Sequence, residues 1–113
     1  MTAGTEHDRE LDSDLVSIIM PTYNCGAFIA ETIATVQAQT HPRWELIVVD
    51  DCSTDDTTDV VGALAKDDPR IRYVRLETNS GAAMARNRAM ELAQGRYMAF
   101  LDSDDLWHPD KLR

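Results

Sequence analysis

Leu46-Ile47-Val48-Val49-Asp50-Asp51 sets four consecutive apolar residues, three of them β-branched, directly before two carboxylates. A run this short and this continuously apolar reads as a strand covered on both faces, with its charged end at the carboxyl edge of a sheet. Beyond it, Ser53 and Asp56 resemble a capping pair for a helix through about Lys66, with Val60, Val61 and Leu64 as its apolar stripe. Toward the amino terminus, Val16 to Met20 is a first strand closed by Pro21, which cannot donate to a central ladder. Between the two strands, Phe28 to Gln39 places Ile29, Ile33 and Val36 at helical spacing. Toward the carboxyl terminus, Ile71 to Leu76 forms a third strand. A third helix follows Asn79-Ser80-Gly81, carries Met84, Ala85, Ala89 and Leu92 inward and ends at Gly95. Tyr97 to Leu101 is a fourth strand, apolar on both faces as suits a buried central position, and Pro109 marks the first turn of another helix.

Alternating strands and helices with short links predict an α/β fold, a doubly wound and mainly parallel sheet with helices on both faces and strand order 3-2-1-4. In that order ligands bind outside the carboxyl ends of strands one and four, at the switch point. Residues 15–113 make up this domain. Residues 1–14, almost free of apolar side chains, read as a disordered acidic tail. The net charge is −9, and from Leu15 onward it is −5, from 15 acidic and 10 basic residues. An acidic balance argues against unassisted binding of nucleic acid or anionic lipid. No apolar run approaches the roughly 20 residues of a membrane span, and no secretory signal is visible, so the expected location is cytoplasmic. Cys25 and Cys52 lack paired metal-ligand spacing and read as reduced thiols.

Pro21-Thr22-Tyr23-Asn24, Asp50-Asp51 and Asp102-Ser103-Asp104-Asp105 all fall at the carboxyl edge. On an extended backbone Asp102 and Asp104 share a face while Ser103 points away, and two hard oxygen donors suit Mg²⁺ or Mn²⁺. Five carboxylates from two neighbouring loops raise one another's pKa unless a cation relieves them. Asp55, Asp56 and Asp59 read more simply as acids serving a helix amino terminus. Arg86 stands seven residues after Asn79 and offers a planar fork for phosphate or a base edge, while Arg88 and Arg96 read as solvated surface residues. Tyr23 either stacks on a ring or closes its loop. Trp107 reads as loop packing, Trp44 as a partner of the first helix, and His7, His41 and His108 share no ligand spacing.

Taken together, these motifs resemble the nucleotide-binding half of family-2 glycosyltransferases with the GT-A fold. The resemblance runs from Val16 to Leu112. It is carried by Val16-Ser17-Ile18-Ile19-Met20-Pro21-Thr22-Tyr23-Asn24, Gln39-Thr40, Trp44 to Asp55, Asn79-Ser80-Gly81, Ala85-Arg86-Asn87, Ala99 to Asp105 and Pro109-Asp110-Lys111-Leu112. Each motif alone is weak; their order and spacing are specific. The resemblance implies a nucleotide-sugar donor site with Pro21 and Tyr23 around the base and Asp51 hydrogen-bonded to it. Asn79 and Arg86 would line the nucleotide, Asp102 would lie near the ribose and a metal-bound water, and Asp104 would ligate Mn²⁺ or Mg²⁺ on the diphosphate.

The implied reaction moves a sugar, with inversion, from a nucleoside diphosphate, most simply UDP, to a saccharide, lipid or other hydroxyl acceptor. In the family the general base, acceptor loops and later strands follow the aspartate motif, so no catalytic base is assigned here. A truncated GT-A domain is the expectation, with a non-catalytic nucleotide-sugar-binding fragment as the alternative. The fragment is expected to have little activity of its own and to self-associate through its fourth strand, and the full-length protein could sit at the cytoplasmic face of a membrane. Haloacid-dehalogenase-type phosphotransferases carry Asp-x-Asp after the first strand rather than the fourth. Nucleotidyltransferases would show a basic, glycine-rich loop after strand one. Receiver modules need an aspartate after strand three, where this chain has Glu77-Thr78.

Overall fold

A computed structural model describes residues 14–103 and 105–112. Strands β1 (Val16–Thr22), β2 (Trp44–Asp50), β3 (Ile71–Arg75) and β4 (Tyr97–Phe100) form one sheet in the order β3-β2-β1-β4. Every pairing is parallel, with Val16 beside Trp44 and Thr22 beside Asp50 on one flank of β1, and Val16 beside Tyr97 on the other. Helices α1 (Ile29–Gln37), α2 (Thr57–Asp67) and α3 (Ala82–Leu92) fill the crossovers. The expected class, strand order and two-sided helix cover are all present.

Period-two alternation divides the core. Ile18, Met20, Leu46 and Val48 face α1 and α2 and pack with Ile29, Ile33, Val36 and Val61, whereas Ile19, Ile47 and Val49 face α3 and pack on Ala85 and Ala89. Trp44, Leu101 and Trp107 complete the α1 side, and the Arg70 guanidinium lies 3.8 Å from the Trp44 ring centroid. At the amino ends of the strands, buried Ser17 donates to Glu45 (2.6 Å) and accepts the Gly95 amide (2.8 Å). Arg72 pairs with the same glutamate at 3.1 Å.

Several local expectations fail for physical reasons. Ser53 and Asp56 make no cap: Asp55 accepts the Thr57 amide at 2.9 Å, and Ser53 turns inward to Asp50. Met84 is 56% exposed, because the inward stripe of α3 is the four-residue step from Ala85 to Ala89. Tyr97, Met98 and Phe100, whose composition suits a central strand, are about half exposed in keeping with the expected order 3-2-1-4: among the described residues β4 pairs only with β1 and stands at the sheet's edge. Residues 109–112 form turns rather than a helix. They are fastened to the end of α1, where Gln39 donates to the His108 carbonyl (2.7 Å) and accepts the Leu112 amide (3.1 Å). No helix among the described residues is long and apolar enough to cross a membrane.

Candidate functional site

Pairing of Thr22 with Asp50 brings the ends of β1 and β2 level, and the Asp51 amide donates to the Thr22 carbonyl at 2.9 Å. Just beyond lies a cavity of about 90 Å³ lined by Pro21, Thr22, Tyr23, Asp51 and Ala82. Three of the residues singled out from the sequence, Pro21, Tyr23 and Asp51, therefore meet around one space. Asn79 joins them through its side-chain amide, which donates to the Asp51 carbonyl at 3.3 Å. Arg86 is exposed on α3 one turn after Ala82, on the same helix face, and its guanidinium makes no polar contact among the described residues. A larger cavity of about 350 Å³, lined among others by Val16, His41, Tyr97 and Lys111, opens at the amino ends of the strands and touches none of these residues.

The two neighbouring aspartates part company. Asp51 accepts the Ser80 amide at 2.6 Å and the Gly81 amide at 2.8 Å, so its carboxylate fixes the loop that starts α3 and sets Ala82 against the cavity. Gly81, whose amide meets Asp51, has φ +96°, a backbone angle that side-chain-bearing residues rarely adopt. One lone pair remains on each oxygen for a ligand N–H. Asp50 is wholly buried and leaves the acidic crevice altogether: it accepts the Ser53 amide (3.0 Å) and hydroxyl, the Tyr73 hydroxyl and, at 3.5 Å, Thr58 Oγ1. The Arg75 guanidinium lies 3.6 Å from the same carboxylate. Burial, then the Asp50 bond, push the Tyr73 phenol above its usual pKa.

At the end of β4, Asp102 is exposed and its carbonyl accepts the Asp105 amide at 3.0 Å, while Asp105 accepts the Leu106 amide at 2.9 Å and so supports the turn. Ser103 is buried, as the alternation implies: its hydroxyl meets Cys25 Sγ at 2.8 Å and its carbonyl accepts the Thr32 hydroxyl at 2.9 Å. Asp104 lies outside the described residues. Among the described residues no group of three His, Cys, Asp or Glu side chains is placed to hold a metal ion. Asp102, exposed at the strand end instead of serving the core, is one hard oxygen donor of the type that Mg²⁺ and Mn²⁺ take beside substrate phosphates. Cys25 and Cys52 are unbridged.

Reading the sequence missed Thr22 and Ala82 in the cavity wall. Thr22 Oγ1 is buried and has no hydrogen-bond partner among the described residues. Its place between Pro21 and Tyr23 was the one available signal; Ala82 had only its position after Gly81.

The family model described as glycosyl transferase family 2 matches residues 17–113. TuaG of Bacillus subtilis, a glycosyltransferase named for teichuronic acid biosynthesis, is 59% identical over 98 residues, which are 87% of this chain and 39% of TuaG. WfgD of Escherichia coli, a UDP-Glc:alpha-D-GlcNAc-diphosphoundecaprenol beta-1,3-glucosyltransferase, is 49% identical over 102 residues, 90% of this chain and 40% of WfgD. Among solved structures, S. aureus TarS 1–349 in complex with UDP is similar with a TM-score of 0.80 and 38% identity over 86% of this chain and 29% of that one. The mannosyltransferase PcManGT from Pyrobaculum calidifontis, in complex with GDP-Man and Mn²⁺, gives 0.76 and 34% over 81% and 28%. The chain thus spans about two fifths of the length of these two curated relatives. Matched from its first strand through its last residue, and sharing the GT-A fold of its structural neighbours, the chain belongs to glycosyltransferase family 2.

Proposed function

We propose that this chain provides the donor site of an inverting glycosyltransferase that moves a sugar from a UDP-sugar to a hydroxyl on a saccharide, lipid or other acceptor. The observation that carries this reading is the cavity where Pro21, Tyr23 and Asp51 meet against Ala82. The rings of Pro21 and Tyr23 with one carboxylate between them suit a planar base with a single N–H to recognise. Pro21 and Tyr23 hold the base, and Asp51, already fixed by two backbone amides, accepts its N–H. Asn79 steadies that loop from the other side. Arg86, one turn into α3, reaches toward the nucleotide, and Asp102 takes the ribose. Asp102 with Asp104 would hold Mn²⁺ or Mg²⁺, which when bound stabilises negative charge on the departing diphosphate. The acceptor proton needs a general base, and no residue of this chain is assigned that role. Support for a nucleotide donor comes from the similar structures solved with UDP and with GDP-Man.

Calorimetric titration with UDP, GDP and dTDP, each with and without Mn²⁺, tests the reading. UDP should bind most tightly, and only with Mn²⁺. Asp104→Ala should weaken UDP binding, and Asp51→Ala should reduce discrimination among the three nucleotides while keeping part of the diphosphate affinity. Folded protein that takes no nucleotide, or takes UDP regardless of the cation, would overturn it. Nucleotide binding without sugar transfer in the intact protein would favour a binding-only role.

A further inference from the structure

We propose that Ser53, oriented by buried Asp50, is a positioning residue that sets the width of the donor cavity by tying its two walls together; the inference rests on the donor-site reading above. One wall is the β1–α1 loop with Pro21 and Tyr23, and the other is Asp51 at the end of β2. Ser53 stands between them, 3% exposed. Its hydroxyl donates to Asp50 and accepts the Asn24 amide at 2.8 Å.

The direction of this link is forced. A carboxylate only accepts, so the single hydroxyl proton of Ser53 goes to Asp50 and leaves its lone pairs for the Asn24 N–H. Asp50 cannot turn away, because Tyr73, Thr58 and the Ser53 amide also donate to it and Arg75 stands beside it. The next two amides of the β1–α1 loop continue the seam, Cys25 to Thr57 Oγ1 and Gly26 to Asp55, each at 3.0 Å. In return Asn24 Oδ1 accepts the Thr54 amide at 2.7 Å. Asn24 and Cys52 both lie in the left-handed region, at φ +49° and +63°, so each loop turns sharply next to a cavity residue. Tyr23 precedes Asn24 and Asp51 precedes Cys52. A shift in either anchored residue therefore moves a wall of the cavity directly.

A second buried serine supplies the control. Ser17 makes the same kind of bridge at the opposite end of the sheet, donating to Glu45 and accepting the Gly95 amide. Ser53→Ala and Ser17→Ala each remove one hydroxyl between a carboxylate and a backbone amide, so both lower thermal stability. Only Ser53→Ala should weaken binding of UDP with Mn²⁺, by about tenfold, the order expected when a part-buried amide loses its partner. Ser17→Ala should stay within about twofold of the unsubstituted protein. UDP affinity unchanged in Ser53→Ala, or lowered equally in both variants, overturns the proposal. Should the unsubstituted protein bind no UDP, the donor reading falls by itself, and hydrogen exchange at the Asn24 amide decides the link. Faster exchange in Ser53→Ala but not in Ser17→Ala upholds the tie between the loops, and equal exchange overturns it.

Discussion

Asp68, just after α2, receives the Arg70 guanidinium through Nε (3.1 Å) and Nη2 (3.0 Å), the Arg70 amide (3.0 Å) and the Gln37 side chain (3.2 Å). The Arg70 bonds, against the opposing effect of burial, hold its carboxyl below the ordinary 3.8. A carboxyl depressed in the folded state stabilises the fold above its unfolded pKa, and that contribution is lost as pH falls through the folded value. Thermal stability should therefore drop below about pH 4, and Asp68→Asn should flatten this part of the acid limb in a melting series from pH 5 to 2. Gly95 is constrained differently: a Cβ there would stand 2.6 Å from the Leu15 carbonyl and 2.9 Å from the Ser17 amide, both backbone atoms. Gly95→Ala should cost about 1–3 kcal/mol in urea unfolding, the range for forced overpacking. The division of labour between Asp50 and Asp51 was not legible from the motif, because a pair of adjacent carboxylates looks alike in sequence. What separates them is register: Asp50 stands beside Arg75, and Val48 beside Tyr73, so β3 presents its polar groups to the first aspartate only.

Among the elements, α3 shows how two alanines settle a packing distance. Ala85 and Ala89 are fully buried against Ile19, Ile47 and Val49, and such small side chains bring the helix backbone close to the sheet. Ala85→Leu should destabilise by about 1–3 kcal/mol and loosen the Asp51 contacts to Ser80 and Gly81, which hydrogen exchange at those two amides can follow. Met84→Gln, on the exposed side, should change stability by less than about 0.5 kcal/mol. Spacing makes the helix itself legible, yet the hydrophobicity of Met84 points inward where the four-residue step from Ala85 to Ala89 turns it to solvent. For β4 the order 3-2-1-4 gives the edge position that its composition, suited to a central strand, does not, because composition cannot say which neighbours a strand has.

For the molecule as a whole, strand order and two-sided cover follow from few rules, since short right-handed crossovers leave little freedom once strands and helices alternate. That is why the topology and the convergence of three distant motifs on one edge were readable. The seam between the β1–α1 and β2–α2 loops was not, because side-chain to backbone hydrogen bonds across 29 to 32 positions leave no periodic trace. The same sheet ends in an edge whose Tyr97, Met98 and Phe100 are 55%, 48% and 55% exposed. An apolar edge strand with unpaired backbone groups is a template for a second copy of the chain. Sedimentation velocity on this 113-residue chain should show concentration-dependent association, suppressed in Phe100→Lys; a monomer at all concentrations would contradict this.

Both tryptophans of the chain, Trp44 and Trp107, lie in the layer between the sheet and α1, and neither lines the Pro21–Asp51 cavity. The molecule thus carries two optical reporters with separate addresses. Indole emission will move to the red when that layer opens to water and will keep its wavelength when UDP enters the cavity. Half-exposed Tyr23, at the cavity wall, is the chromophore whose signal should change with the base.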